Sequence, residues 1–405
     1  MATENYGAKA TLGLTQGQKP VSTATEVVFV GGAPMGGTAS PNEPVLITSL
    51  GDYNEKFKGE VGDGWSLSQA AEAAFNIFAL DHVYMISAND GNADQDSDIL
   101  DDDIIGDPEL MTGMYAANKI FLRDGVVPTI ICAPDRNSAP VLGALKGLCA
   151  SISNKFKAIF LYDVTENKGQ LNGESVVVDE VVNAKNLSDE AAIACWPHVV
   201  TPSDNIISSA AYKACLYGYT DALYKNIPYR SIGNLYANGV TGLALKDGSP
   251  LLLVEEKATQ LSADGVTSFK PVGGGVWNTW GDHTSLFSGG HVVDERARFD
   301  SNIRMLYFKM NEFVLKWGPV IDAPMKLALR NDILTYEQNR LNYFVSEGAL
   351  IGYPLIEFRP LDNTSNTLQK GEFYFTELAT VTPPAKFVDM KLSFTSDGFV
   401  VYLEG

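Results

Sequence analysis

The chain has 405 residues, 45% hydrophobic and 20% charged, a balance that excludes a disordered or fibrous protein and predicts two or three domains. Its 30 Lys and Arg against 49 Asp and Glu leave a formal net charge of −19, which repels a phosphate backbone, excludes general nucleic-acid binding and otherwise serves solubility. No stretch approaches the roughly 18 apolar residues needed to cross a bilayer, so no membrane insertion is expected.

At the start, Met1-Ala-Thr-Glu-Asn-Tyr6 has neither a basic region nor an apolar one, so no secretory signal and a cytoplasmic folding environment are expected. Ala8, Ala10, Leu12 and Leu14 alternate with Lys9, Thr11 and Gly13, the pattern of a strand with one apolar face and no local partner. A stronger β run covers 25–30 and ends at Gly31-Gly32. The glycine-rich stretch 30–37 lacks both phosphate-loop spacings and reads as a turn between strands. Further strands are predicted over 44–50 and 82–87, with a helix over 67–80 between them.

Residues 88–107 are acidic and loop-like. Asp94, Asp96 and Asp98 imitate the first ligands of a calcium loop, but Ile99 stands where the turn glycine belongs and Ile105 where the closing glutamate belongs. The segment therefore reads as a solvated linker at a domain boundary.

From 108 to 230 strands and helices alternate, with strands at 127–132, 158–164 and 192–200 and helices at 139–153 and 208–223. Apolar strands separated by helices predict a parallel sheet covered on both faces. Cys132, Cys149, Cys195 and Cys215 lie in apolar contexts without C-x-x-C spacing and are read as buried free thiols, not metal ligands or disulfides. His198, at a strand end, reads as a core or interface histidine. Asn238-Gly239 predicts a turn, as a hairpin or a bulge between Leu235 and Leu243.

In Gly273-Gly-Gly-Val-Trp-Asn-Thr-Trp-Gly-Asp-His-Thr284 three glycines run into two tryptophans, so a tight turn or close approach precedes indoles that need burial. A helix follows over 297–317 with Phe299, Ile303, Leu306, Met310, Phe313, Val314 and Trp317 on one stripe, and a second over 324–345. Strands at 354–358 and 372–378 predict a hairpin. Val388, Met390, Leu392 and Phe394 then alternate with polar residues as a half-buried strand, and Ser396-Asp-Gly398 turns the chain into another apolar run.

The tryptophan segment resembles that of phage contractile tail sheath proteins, P2-like or Mu-like, with His283 where the family usually has Arg. Pro44-Val-Leu-Ile-Thr-Ser49 with Tyr53 and Phe57, Val127-Pro-Thr-Ile-Ile-Cys-Ala-Pro134 and Ile232-Gly-Asn-Leu-Tyr-Ala-Asn-Gly-Val-Thr-Gly242 resemble the family in the same order. The resemblance implies an α/β and α+β multidomain fold: a central parallel-sheet domain of subtilisin-like topology, an α+β domain from the N- and C-terminal regions, and extended terminal β arms. The boundaries expected are 1–25 for an arm, 26–88 for an N-terminal α+β region, 89–280 for the central α/β domain, 281–384 for a C-terminal α+β domain and 385–405 for a second arm.

By the same resemblance the protein has no substrate and no cofactor. Copies are expected to stack as hexameric rings into a helical sheath around an inner tail tube, with a baseplate and a tail terminator, assembled in the host bacterial cytoplasm and carried in a virion tail or a bacteriocin particle. Ala8, Ala10, Leu12, Leu14, Val388, Met390, Leu392 and Phe394 are the expected subunit contacts, exchanged as strands between copies. Lys326 and Arg330, spaced i and i+4, are the expected tube contacts. Two other readings are a degenerate subtilisin-like hydrolase and a surface adhesin. The hydrolase is opposed by His82, His198, His283 and His291, none of which precedes a glycine-flanked serine motif, and the adhesin by the missing secretion signal.

Overall fold

In a computed structural model of the chain, residues 25–164 and 176–402 are described. The first apolar run forms β1 (Val27–Gly31), buried along its whole length, as a strand covered on both faces must be. After β2 (Val45–Ile47) comes α1 (Leu50–Phe57), capped by the Ser49 side chain, which accepts from the Asp52 amide. The helix expected over 67–80 begins as α2 (Ser66–Ala71) and continues through a π turn, Glu72–Ile77, before β3 (Val83–Ser87).

The acidic segment that follows is not a solvated linker. It carries α3 (Asp101–Ile105), buries Ile99 and Ile104, and turns Asp96 inward. The Asp96 carboxylate accepts from the Ser66 amide and hydroxyl at 3.0 and 2.7 Å and pairs with Arg136 at 2.9 Å. Asp98 bonds the Gln95 amide instead, so the alternate aspartates take different partners.

Next come α4 (Ala117–Asp124), β4 (Ile130–Cys132), α5 (Ala139–Ala150), β5 (Ile159–Asp163), α6 (Val178–Asn183) and β6 (Ala192–Cys195). The single strand expected over 192–200 divides, because Pro197 has no amide to donate to a ladder. Beyond it β7 (His198–Val200) enters a second, antiparallel sheet with β8 (Ile206–Ile207), β9 (Gly242–Ala244) and β10 (Pro250–Leu251). Between β8 and β9, α7 (Ser209–Leu223) is capped by Ser208. Gly239, at φ +67°, makes the expected turn but no hairpin, since Leu243 pairs with Val199 of β7. Then α8 (Glu255–Ala263) leads into the hairpin of β11 (Val266–Gly273) and β12 (Val276–Trp280). Its turn uses Gly273, Gly274 and Gly275, all at positive φ, where a side chain would be strained.

The main sheet has the order β12-β11-β6-β5-β4-β1-β3-β2, with parallel pairing from β11 to β3 and antiparallel strands at both edges. Phe29 of β1 stands beside Met85 of β3 on one side and Cys132 of β4 on the other. Strands from 26–88 and from 89–280 therefore share one sheet, and no boundary separates them at residue 88.

Beyond the sheet, α9 (Asp300–Trp317) and α10 (Leu327–Ser346) lie side by side, joined by ion pairs of Lys309 with Glu337 and Arg340 with Glu312. A second, small core of Met305, Phe308, Leu341, Phe344, Leu350 and Ile356 sits where these helices meet β13 (Leu350–Glu357). Antiparallel to β13 runs β14 (Thr376–Val381), after the short α11 (Ser365–Gln369).

The buried face of α9 differs from the expected stripe. Phe299 and Ile303 of that stripe are inside, joined by Asp300, Ser301, Arg304, Met305, Phe308 and Asn311, whereas Met310 is 49% exposed. The reason is polar: Arg304 forms a buried ion pair with Asp221 of α7, and the Tyr217 hydroxyl donates to Asp300. Hydrophobic periodicity carries no signal for such a face. Among the described residues no helix is long and apolar enough to cross a membrane.

Candidate assembly surface

The C-terminal hairpin is a sheet of two strands; among the described residues no third strand joins it, and Gln338 of α10 bonds Pro354 O and Ile356 N on the outer edge of β13, which leaves the edge of β14 as the one without a partner. Leu355, Ile356 and Glu357 face Leu378, Glu377 and Thr376 in register, and the register then shifts before Ile351 meets Thr380. At the shift Gly352 takes φ +78° and Tyr353 is fully exposed, so the bulge pushes an aromatic ring into solvent. Ile351, Leu355 and Leu378 are also exposed. Such an edge, two strands wide with apolar side chains outside, is a template for a further strand.

From this hairpin the chain runs straight into the expected C-terminal arm. Thr382 closes the hairpin, its amide bonding Ala349 O at 3.1 Å and its hydroxyl Gly348 O at 2.7 Å. Pro383 and Pro384 follow, and Lys386 reaches across to the buried carboxylate of Asp282. Past that point Val388, Met390, Leu392 and Phe394 belong to no strand and are 78–86% exposed, and 399–402 lie in a 3-10 turn, Asp397–Tyr402. Among the described residues the half-buried strand expected here is absent, and none of them supplies a neighbouring strand or an apolar face to cover it. Burying Phe387 and these four side chains would contribute on the order of 10 kcal/mol before the cost of ordering them. The N-terminal arm residues Ala8, Ala10, Leu12 and Leu14 lie outside the described residues.

The tryptophan segment builds the body beneath the root of the arm. The Trp280 indole donates to Thr259 Oγ1 at 3.2 Å while Lys270 lies 3.8 Å over its ring. Gly281, at φ +89°, passes where a Cβ would come within 3.2 Å of Ser262. His283 stacks between Phe287 and Phe299, with centroids at 3.9 and 5.3 Å, and burial pulls its imidazole down to about 4. A neutral ring thus replaces the arginine that the resemblance led one to expect. Between this segment, residues 229–234 and 382–386 opens a cleft of about 620 Å³.

No protein-family profile and no curated protein matches the chain by sequence. Solved structures do match. The sheath complex of an extracellular contractile injection system, PVC, in the contracted state aligns at a TM-score of 0.68 and 15% identity, over 98% of this chain and 100% of that one. The helical sheath of the anti-feeding prophage, also contracted, aligns at 0.66 and 17%, over 97% and 100%. A sheath tail protein from Desulfitobacterium hafniense aligns at 0.57 and 11%, over 92% and 100%.

The chain has the contractile sheath fold.

Within this sheath fold the expected tube contacts lie one helical turn apart, the Arg330 amide donating to Lys326 O at 3.1 Å. Lys326, exposed, is the residue before the first turn of α10, whereas the half-buried Arg330 lies 5.5 Å over the Phe358 ring and bonds Asn331 at 2.8 Å. Leu327 between them is 65% exposed.

The carboxyl ends of the sheath fold's central strands hold a cluster of buried charge. His198 Nε2 is 2.6 Å from Asp135, which also accepts from Gln69, while Asp163 accepts from the Ser208 hydroxyl at 2.6 Å and from the amides of Asp135 and Ala210. Burial opposes charge on both members of the His198–Asp135 pair. Their mutual attraction prevails, lowering the aspartate and raising the histidine. Asp135, Asp163 and His198 lie close enough together for a metal ion, yet each carboxylate already has protein donors. Ser208 donates to a carboxylate and not to an imidazole, so this cluster sets no nucleophile beside a base; elsewhere the Ser262 hydroxyl lies 3.3 Å from His283 Nδ1. Sequence reasoning singled out His198 but could not pair it, because its partner lies 63 positions away.

Proposed function

We propose that the chain is the structural subunit of a contractile sheath, polymerising as stacked hexameric rings around an inner tube and shortening to drive that tube through a cell envelope. The observation that carries this reading is the arm: a run of large apolar side chains leaving a two-stranded sheet whose β14 edge has no partner strand among the described residues, on a chain whose sheath fold aligns over 98% of its length. A strand from one copy satisfies the edge of the next, and because such contacts are heterologous they propagate into an open helix.

In this reading residues 1–25 and 385–405 are arms, the large sheet is the subtilisin-like central domain, and 281–384 is the C-terminal domain that faces the tube through Lys326 and Arg330. The protein is not an enzyme and takes no cofactor; its partners are further copies of itself, the tube protein, the baseplate and the terminator. Assembly takes place in the bacterial cytoplasm, and the finished particle is a phage tail, a bacteriocin or an injection device. The matched structures include both injection-system sheaths and sheath tail proteins, so the subunit fits each of these particles.

The test is negative-stain electron microscopy of the purified chain across a concentration series, with and without a tail tube protein. Long cross-striated hollow cylinders are expected. Monomers under every condition would overturn the proposal.

A further inference from the structure

The root of the arm is held to the body by one charged side chain on a buried carboxylate. Asp282 is 1% exposed and its two oxygens accept from Ser231, at 2.6 Å, and from Lys386. Lys386 is 40% exposed, so its own desolvation is partial while that of Asp282 is nearly complete. The ammonium also lies 5.8 Å from the Phe299 centroid. The pair spans 104 positions and closes one side of the 620 Å³ cleft.

A second carboxylate sits behind the first. The Asp300 amide donates to Asp282 O at 3.0 Å, and the Asp300 side chain, fully buried, accepts from the Tyr217 hydroxyl through one oxygen while the other has no donor. Burial first, and then the negative charge of Asp282, push the Asp300 carboxyl up to about 7; Tyr217, Arg304 and Lys386 work the other way. The charged and titratable groups facing the two carboxylates are Lys386 from the arm, Arg304 from the next turn of α9, Tyr217 and the buried Lys213 from α7, Cys195 from β6 and the neutral His283.

We propose that Lys386 and Asp282 form a clasp that sets where the C-terminal arm leaves the body, and that the clasp loosens when Asp300 takes up a proton. Removing the ammonium would strand Asp282 as a buried charge beside another carboxylate, which opposes release. A proton on Asp300 relieves that repulsion and weakens the field holding Lys386, so release and proton uptake favour each other. This device would let the surroundings bias the direction in which the arm reaches for a partner.

The test uses the full chain, at concentrations too low for polymerisation, so its outcome is independent of the sheath reading. A pH-insensitive dye is placed on V388C; the native cysteines are buried and stay unlabelled. At about pH 8 the dye should show the high anisotropy of an arm held at its root, falling toward that of an unstructured peptide by about pH 5.5. K386Q, which changes a partly exposed side chain and leaves Asp282 its Ser231 donor, should give the low value at both pH values. D300N should abolish the pH dependence. Parent-like anisotropy in K386Q at the higher pH would overturn the clasp, and a parent that is flat across the range would overturn its link to Asp300.

Discussion

Arg304 of α9 and Asp221 of α7 meet in an ion pair that is 3% and 0% exposed, with the guanidinium carbon 4.2 Å from the centre of the Tyr217 ring. The pair rivets the C-terminal helices to the central sheet. Breaking it by R304A or D221A leaves a buried charge without its partner and should cost about 3–5 kcal/mol, measured by urea unfolding. The joint replacement R304M/D221L should recover much of that loss, which would separate the cost of an orphaned charge from the worth of the pair.

The arm carries the opposite expectation. Leu392 is 85% exposed, so L392P should change the stability of the monomer by no more than about 0.5 kcal/mol, yet remove a ladder donor that a neighbouring strand needs. Long sheaths should be lost, and deletion of residues 1–20 should have the same effect. Electron micrographs with parent-length cylinders from either variant would reject strand exchange.

Charge reversal at K326E/R330E should weaken assembly on added tubes and leave tube-free polymerisation intact. The readout is the fraction of tubes sheathed at fixed subunit concentration. Equal sheathing would reject these residues as tube contacts.

His82 reports stability against pH. A hydrogen bond with the buried Glu26 carboxylate at 2.9 Å outweighs burial and raises the imidazole to about 9. A raised histidine contributes stability fully below its unfolded value of about 6.5, and that stability is lost as pH rises through about 9. The urea midpoint of the parent should therefore fall between these values by more than that of H82Q. Parallel profiles would reject the assignment.

All four cysteines are buried, and burial raises their thiols, that of Cys195 to about 11. A thiol reagent at about pH 8 should modify none of them in the native chain and all of them after unfolding, since the thiolate is the reactive form. Rapid modification under native conditions would show that the sheet opens locally.

Much was legible without coordinates because its causes are local. Apolar runs of β length became β1, β3, β4 and β5, and Ser49, Ser138 and Ser208 cap the helices that follow them. The arm's alternation at Val388, Met390, Leu392 and Phe394 was equally plain, but alternation states only which face wants cover. Whether cover exists depends on the rest of the chain, and the single chain leaves all four exposed.

What the tertiary structure alone decided are relations between distant positions. Periodicity placed β1, β3 and β4 but could not say that β1 lies between the other two, so a boundary drawn from composition at residue 88 fell inside one sheet. It located α9 with its buried Phe299 and Ile303 yet missed the polar part of the buried face, because Asp300 and Arg304 are paid for by Tyr217 and Asp221 on another helix. The tryptophan segment drew notice for its glycines and indoles, but Asp282 acquires a role only through Lys386, far along the chain. Backbone propensity and hydrophobic pattern act within a turn or two of sequence, whereas buried charge finds its partner only after the chain has closed on itself.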